Sequence, residues 1–232
     1  MPAGFTPCKL PRGADGNPDD FFGNPQPGWR DLISLPQLSK ESILETLKTR
    51  FQHEVVYTYV GDIVVSVNPF KNVGCVGADI RRRYKGGVRS KLPPHIYALV
   101  DATYHEMMSN GISQSILISG ESGAGKTEAM KVCLAFIGEL SGTGANAAKV
   151  ASGPSTADKL MMTNPVMEAI GNAKTIRNNN SSRFGKHFDV QFSETGGIVG
   201  AFTSSYLLEK PRICKHMTGT PRGCTRRPVA RP

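Results

Sequence analysis

A chain of 232 residues, 39% apolar and 20% charged, has material for one sizeable buried core and reads as a soluble single-domain protein. No apolar run is long enough to cross a membrane, and the start, "MPAGFTPCKLPRG", lacks the apolar centre of a signal peptide. The net charge of +9 is concentrated late: residues 211 to 232 hold six basic side chains and no acid, leaving 22 basic against 19 acidic before them, with no aromatic interleaved to stack on bases, which argues against a nucleic-acid partner.

Five cysteines, Cys8, Cys75, Cys133, Cys214 and Cys224, are scattered without a Cys-x-x-Cys pair. An odd count without pairing argues against a secreted disulfide framework and predicts reduced thiols in the cytosol.

In chain order, residues 1 to 28 are rich in Gly, Pro, Asp and Asn and read as a loose leader. In "LSKESILETLKTRF", Ser39 is placed to cap a helix whose Ile43, Leu44, Leu47 and Phe51 share one face. "VVYTYVGDIVVSVNPF" gives two β-rich runs broken at Gly61-Asp62, a strand pair ending at Pro69. A further helix is expected in "KLPPHIYALVDATYHEMMSNG", with Pro94 in its first turn, a stripe of Ile96, Leu99, Val100, Thr103 and Met107, and Gly111 as its close.

The short apolar run "QSILISG" reads as a buried strand. After it comes a glycine-rich loop, and then Met130, Cys133, Leu134, Ile137 and Leu140 at helical spacing, completing a strand, loop, helix unit. Residues 141 to 157 form a Gly/Ala/Ser-rich connection. A helix follows at Asn164-Pro165 with Asn164 as cap. "HFDVQF" alternates Phe188, Val190 and Phe192, and "IVGAFTSSYLLE" returns as the second strand of a hairpin after a turn at Gly196-Gly197.

The glycine-rich loop is "GESGAGKTE", residues 120 to 128. In such a loop successive backbone N–H groups converge on phosphate oxygens while the following helix offers its positive end. Gly120 and Gly125 permit that backbone path, with Glu121, Ser122, Gly123 and Ala124 forming the wall between them. Lys126 would reach the β/γ-phosphates of ATP, and the Thr127 hydroxyl would ligate Mg²⁺. A second stretch, "RNNNSSRFGK" at residues 177 to 186, reads in isolation as a polar turn. Beside a phosphate loop, its hydroxyls can reach Mg²⁺ and the γ-phosphate and so distinguish ATP from ADP.

"GESGAGKTE" together with "NPVMEAIGNAKTIRNNNSSRFGK" resembles the myosin motor domain, in which these are the P-loop and switch I. The similarity runs from about Asp31 to Ile213 and takes in "VVYTYVGDIVVSVNPFK", "LPPHIYALVDATY" and "SYLLEKPRI". Kinesins share the Ser-Ser-Arg switch and a related loop, but the run after Asn164 is myosin-like. The resemblance implies an α/β fold, a P-loop NTPase-type mixed sheet flanked by helices, as an incomplete myosin head over residues 29 to 213 with a divergent basic tail from 214. It also implies contacts to the phosphates from Asn178 and Asn180, a bond from Ser181 to the γ-phosphate that helps place the attacking water, and completion of the Mg²⁺ shell by Ser182. Arg183 would pair with an acid of a second switch, and Asn68 and Pro69 match the family's purine-side segment.

Actin filaments are the implied partner and the cytoskeleton the implied location. Light chains are not expected, because no lever arm is present.

Three positions depart from the family pattern. Val76 stands where the family usually carries a Tyr that packs on the purine, a role open to Tyr84 or another side chain; Asn72 stands where Arg is common; His187 replaces an aromatic. The second switch, Asp-x-x-Gly-Phe-Glu, has no counterpart: the one Asp-x-x-Gly, Asp20 to Gly23, precedes the P-loop and reads as coincidence. Two functions therefore compete, the ATP- and Mg²⁺-binding portion of a motor, and a non-motor nucleotide-binding or scaffold module without turnover. A chain ending mid-domain is also expected to expose sheet edges and to dissolve poorly by itself.

Overall fold

The computed structural model describes residues 27–142, residue 159 and residues 162–211. Most of the expected leader, Asp20 to Gly23, most of the Gly/Ala/Ser connection and the basic tail lie outside the described residues. The chain divides into two compact units, residues 1–107 and 108–232.

In the first unit α1 spans Lys40–Gln52. It starts on a reciprocal cap: Ser42 N–H donates to Ser39 Oγ at 3.1 Å and Ser39 N–H donates to Ser42 Oγ at 3.1 Å. Its buried side differs from the expected stripe. Leu44 and Phe51 are 67% and 40% exposed, whereas Thr46 and Arg50 are buried.

Arg50 decides this orientation. Its Nε donates to Thr58 Oγ1 at 2.9 Å, its Nη1 to Pro27 O at 3.0 Å and its Nη2 to Tyr57 O at 2.8 Å. A guanidinium with its donors satisfied can be enclosed, and once enclosed it dictates which face of the helix turns inward.

β1 (Tyr57–Val60) and β2 (Ile63–Ser66) form the expected antiparallel pair, turning at Gly61, whose φ of 56° suits glycine. A short helix that the sequence reading missed, α2 (Ala78–Tyr84), follows. Two residues past Pro94, α3 spans Ile96–Asn110, and Gly111 with φ 63° lies just beyond its end. Ile96 and Val100 of the expected stripe are buried, and Leu99, Thr103 and Met107 are half-buried.

The core of this unit is aromatic: His95 lies 4.5 Å from the Tyr57 ring, 5.0 Å from Tyr84 and 4.4 Å from Tyr97, centroid to centroid. Tyr97 N–H donates to His95 Nδ1 at 3.0 Å, so the ring hydrogen sits on Nε2 and is given to Cys75 O at 2.8 Å. Burial lowers the His95 pKa to about 4 and keeps the ring neutral.

In the second unit α4 spans Lys126–Ser141, burying Cys133, Leu134 and Leu140 as expected together with Phe136. α5 spans Asn164–Gly171. Asn164 is not its cap: it lies within the first turn, and its Oδ1 accepts from Lys186 Nζ at 3.0 Å. β3 (Asn172–Ala173) pairs with β4 (Ser181–Ser182), and β5 (Gly185–Phe192) with β6 (Ile198–Tyr206), each antiparallel. The second hairpin turns at Gly196, φ 82°, and Phe188, Val190 and Phe192 share its half-buried face.

The chain is thus mixed α/β, with helices and three two-stranded antiparallel sheets among the described residues. This corrects the expected strand before the glycine loop. Residues 112–120 belong to none of the three sheets, and Leu117 is 91% exposed. An apolar β-rich run becomes a strand only when a neighbouring edge accepts its N–H and C=O groups, and none of the described strands does so.

Candidate nucleotide-binding site

The glycine loop occupies the left-handed side of backbone space at three points, with φ of 157° at Gly120, 84° at Gly123 and 93° at Gly125, the residue that opens α4. A side chain at Gly123 would place its Cβ 3.3 Å from Arg177 O, and one at Gly120 would lie 3.1 Å from the Ala124 Cβ. The loop is closed by Ala124 N–H donating to Glu121 O at 3.2 Å. Lys126 folds back along it, its Nζ donating to Gly120 O at 2.6 Å and Glu121 O at 2.8 Å. The first-turn amides of a helix lack intrahelical acceptors, so the start of α4 offers N–H groups and the positive end of a dipole beside a lysine.

A second loop faces the first. Between β3 and β4 the chain turns on Thr175, whose N–H donates to Asn178 O at 2.8 Å while Asn178 N–H donates to Thr175 Oγ1 at 3.0 Å. Asn180 N–H donates to Asn178 Oδ1 at 2.9 Å, and Asn172 Nδ2 donates to Asn180 Oδ1 at 3.0 Å.

These bonds deliver Ser181 and Ser182 to the glycine loop. The Ser122 and Ser181 hydroxyls are 2.9 Å apart, Ser122 and Thr175 are 3.1 Å apart, and Thr127 Oγ1 lies 3.5 Å from Ser182 Oγ. Arg177 forms an ion pair with Glu121 between the two loops.

Arg183 follows directly. Its Nε donates to Glu209 Oε2 at 2.7 Å and its Nη1 to Ser181 Oγ at 3.2 Å. Thr175 and Glu209 were not picked out from the sequence. Each is an ordinary residue type, with nothing in its neighbours to mark the partner that the fold supplies.

Asn68 and Pro69 lie in the first unit. Asn68 Oδ1 accepts from Phe70 N–H at 2.9 Å and Asn72 Oδ1 from Gly74 N–H at 2.8 Å, so both make local turns. Val76 lines a cavity of about 590 Å³ with Ile80, Arg82 and Arg83. Tyr84 presents no substitute aromatic face: it is fully buried against His95 and Tyr97, and its hydroxyl donates to Pro93 O at 2.8 Å. His187 is an outward residue of β5, 6.4 Å from the Tyr206 ring.

The model of the myosin head (motor domain) family matches residues 29–221, well over half of the chain. The chain belongs to the myosin head family. The Myosin ID heavy chain of Dictyostelium discoideum is 45% identical over 195 residues, covering 84% of this myosin head chain and 17% of that protein. Myosin-1 of Aspergillus terreus is 44% identical over 191 residues, 82% of this chain and 15% of its own length. Myosin-1 of Coccidioides immitis is 46% identical over 186 residues, 80% and 14% respectively. This myosin head chain thus spans about a sixth of the length of such relatives. No helix among its described residues is long and apolar enough to cross a membrane.

Proposed function

We propose that this chain is the ATP- and Mg²⁺-binding portion of a myosin motor, in a family whose activity is actin-dependent ATP hydrolysis and filament-based movement. One observation carries the reading: hydroxyls from two loops 55 residues apart meet, Thr127 with Ser182 at 3.5 Å. Adjacent ligands of an octahedral Mg²⁺ at ~2.1 Å stand about 3 Å apart, so these two neutral oxygens suit neighbouring positions in its shell. The metal, when bound, neutralises charge on the phosphates.

The protein groups divide the remaining work. Amides of Gly120 to Thr127 hold the phosphates, Lys126 exchanges its two loop carbonyls for β/γ-phosphate oxygens, and Asn178 and Asn180 border the same space. Ser181 bonds the γ-phosphate and places the attacking water, and Arg183 steadies that serine. Asn68 and Pro69 are assigned to the purine by resemblance alone. Actin filaments as partner and a cytoplasmic, cytoskeletal location follow from family membership in the same way. The P-loop NTPase-type sheet belongs to this reading too.

Titration of the chain with a fluorescent ATP analogue tests the reading: saturable, Mg²⁺-dependent binding that Lys126→Ala abolishes is expected, and equal affinity in the variant would refute the site. The second reading is a nucleotide-binding or scaffold module without turnover. Phosphate release with and without actin filaments separates the two, since actin-stimulated turnover eliminates the second.

A further inference from the structure

Glu209 lies outside both motifs, three residues past the end of β6, yet it meets the serine loop twice. Its backbone N–H donates to Arg183 O at 2.9 Å, and its Oε2 accepts from Arg183 Nε at 2.7 Å with Nη2 2.6 Å away. The guanidinium held in this way turns Nη1 onto Ser181 Oγ at 3.2 Å.

That contact has a direction. Arginine carries donors only, so the Ser181 oxygen accepts and its own hydrogen must go elsewhere. Ser122 Oγ, 2.9 Å away, takes it here, and an anionic phosphate oxygen, which can only accept, would take it in place of Ser122. The Ser122 hydrogen then goes to Thr175 Oγ1 at 3.1 Å, and the Thr175 hydrogen to Asn178 O at 3.1 Å. The whole chain of hydroxyls runs one way, from the carboxylate-held guanidinium to the Asn178 carbonyl. Ser181 is itself buried, so water does not compete for its hydrogen.

We propose that Glu209 is a positioning residue of the nucleotide site: by holding Arg183 it sets the orientation of the Ser181 hydroxyl and thereby the preference for a triphosphate over a diphosphate. This rests on the nucleotide-binding reading above, in which Ser181 meets the γ-phosphate. Without the carboxylate the guanidinium turns away, the Ser181 oxygen becomes free to accept from Ser122, and its hydrogen is no longer kept as the donor that the γ-phosphate, an acceptor only, requires. A diphosphate, which has no group at that position, is indifferent to the change.

The test titrates fluorescent ATP and ADP analogues against the 232-residue chain as wild type, Glu209→Gln, Ser181→Ala and the double variant. Glu209→Gln is expected to lower the ATP/ADP affinity ratio about fivefold. In the Ser181→Ala background it is expected to lower that ratio no further. An unchanged ratio in Glu209→Gln, or equal losses for both analogues that add to those of Ser181→Ala, overturns the proposal in favour of a merely structural ion pair. Should Glu209→Gln fail to fold, Glu209→Asp carries the same comparison, a lowered ratio supporting the proposal and an unchanged one overturning it. A wild-type chain that binds neither analogue overturns the nucleotide reading itself, a result distinct from any effect of Glu209.

Discussion

Ser122 in the glycine loop and Ser181 in the serine loop stand 2.9 Å apart, hydroxyl to hydroxyl, across 59 residues of sequence. With the Ser122 to Thr175 contact, the Thr127 to Ser182 approach and the Glu121 to Arg177 ion pair, this ties the two loops by four contacts. If Thr127 and Ser182 are Mg²⁺ ligands, replacing either by alanine should lower affinity for a fluorescent ATP analogue about tenfold or more in Mg²⁺ and little in EDTA. A variant that keeps the full difference between the two conditions removes that residue from the metal shell.

Lys126→Ala should separate binding from stability. Both hydrogen bonds of the ammonium are exposed and go to loop carbonyls, so their loss costs about 1 kcal/mol of folding free energy. Nucleotide affinity should instead fall about a hundredfold or more if the ammonium meets the β/γ-phosphates as proposed. Parallel thermal melts and titrations read the two effects. A large drop in melting temperature with affinity retained would reverse the assignment.

Gly123→Ala probes the contact between the loops. At φ 84° a side chain costs about 1–2 kcal/mol, and the added Cβ, 3.3 Å from Arg177 O, pushes the serine loop outward. Urea unfolding should report that cost, and the ATP analogue should bind more weakly than the stability loss alone accounts for.

His95 predicts the pH dependence of stability. Its folded pKa of about 4 lies below the unfolded value of 6.5. The unfolded chain therefore binds more protons within that window, and stability present above pH 6.5 is lost as pH falls toward 4, by roughly 3 kcal/mol in all. The buried Asp101 carboxyl, raised by its surroundings, acts in the opposite sense, so the comparison with His95→Gln isolates the imidazole. The fall in melting temperature between pH 6.5 and 4 should be shallower in the variant; identical slopes would exclude His95 as the cause.

Arg50→Met should destabilise the chain by about 3 kcal/mol in urea titrations, because the carbonyls of Pro27 and Tyr57 and the Thr58 hydroxyl lose their shared donor inside the protein. A methionine tolerated at under 1 kcal/mol would mean that packing of the aliphatic stem alone holds α1 in place.

Part of this fold was legible residue by residue. Ser39 begins α1, Gly111 closes α3, and Gly61 and Gly196 turn the two hairpins, because caps and left-handed glycines act within a few positions of themselves. The glycine loop and the Ser-Ser-Arg run were legible for a related reason, since each is a run of neighbouring residues. What could not be read were pairings. The apolar letters of α1 mark a stripe, but a buried Arg50 turns another face inward, and the Tyr84 ring packs in the core rather than offering a face to a purine.

The sequence by itself determined the start of α1, the turns of the two hairpins, and that a glycine-rich loop is followed by a serine-rich one, because each depends on interactions spanning a handful of residues. Only the tertiary structure decided that Ser181 meets Ser122, that Arg183 takes Glu209 as its acid 26 residues away, and that residues 112–120 pair with no described strand. Ladders, ion pairs and buried donors need partners at specific distances in space. Separation along the chain carries no information about which partner arrives.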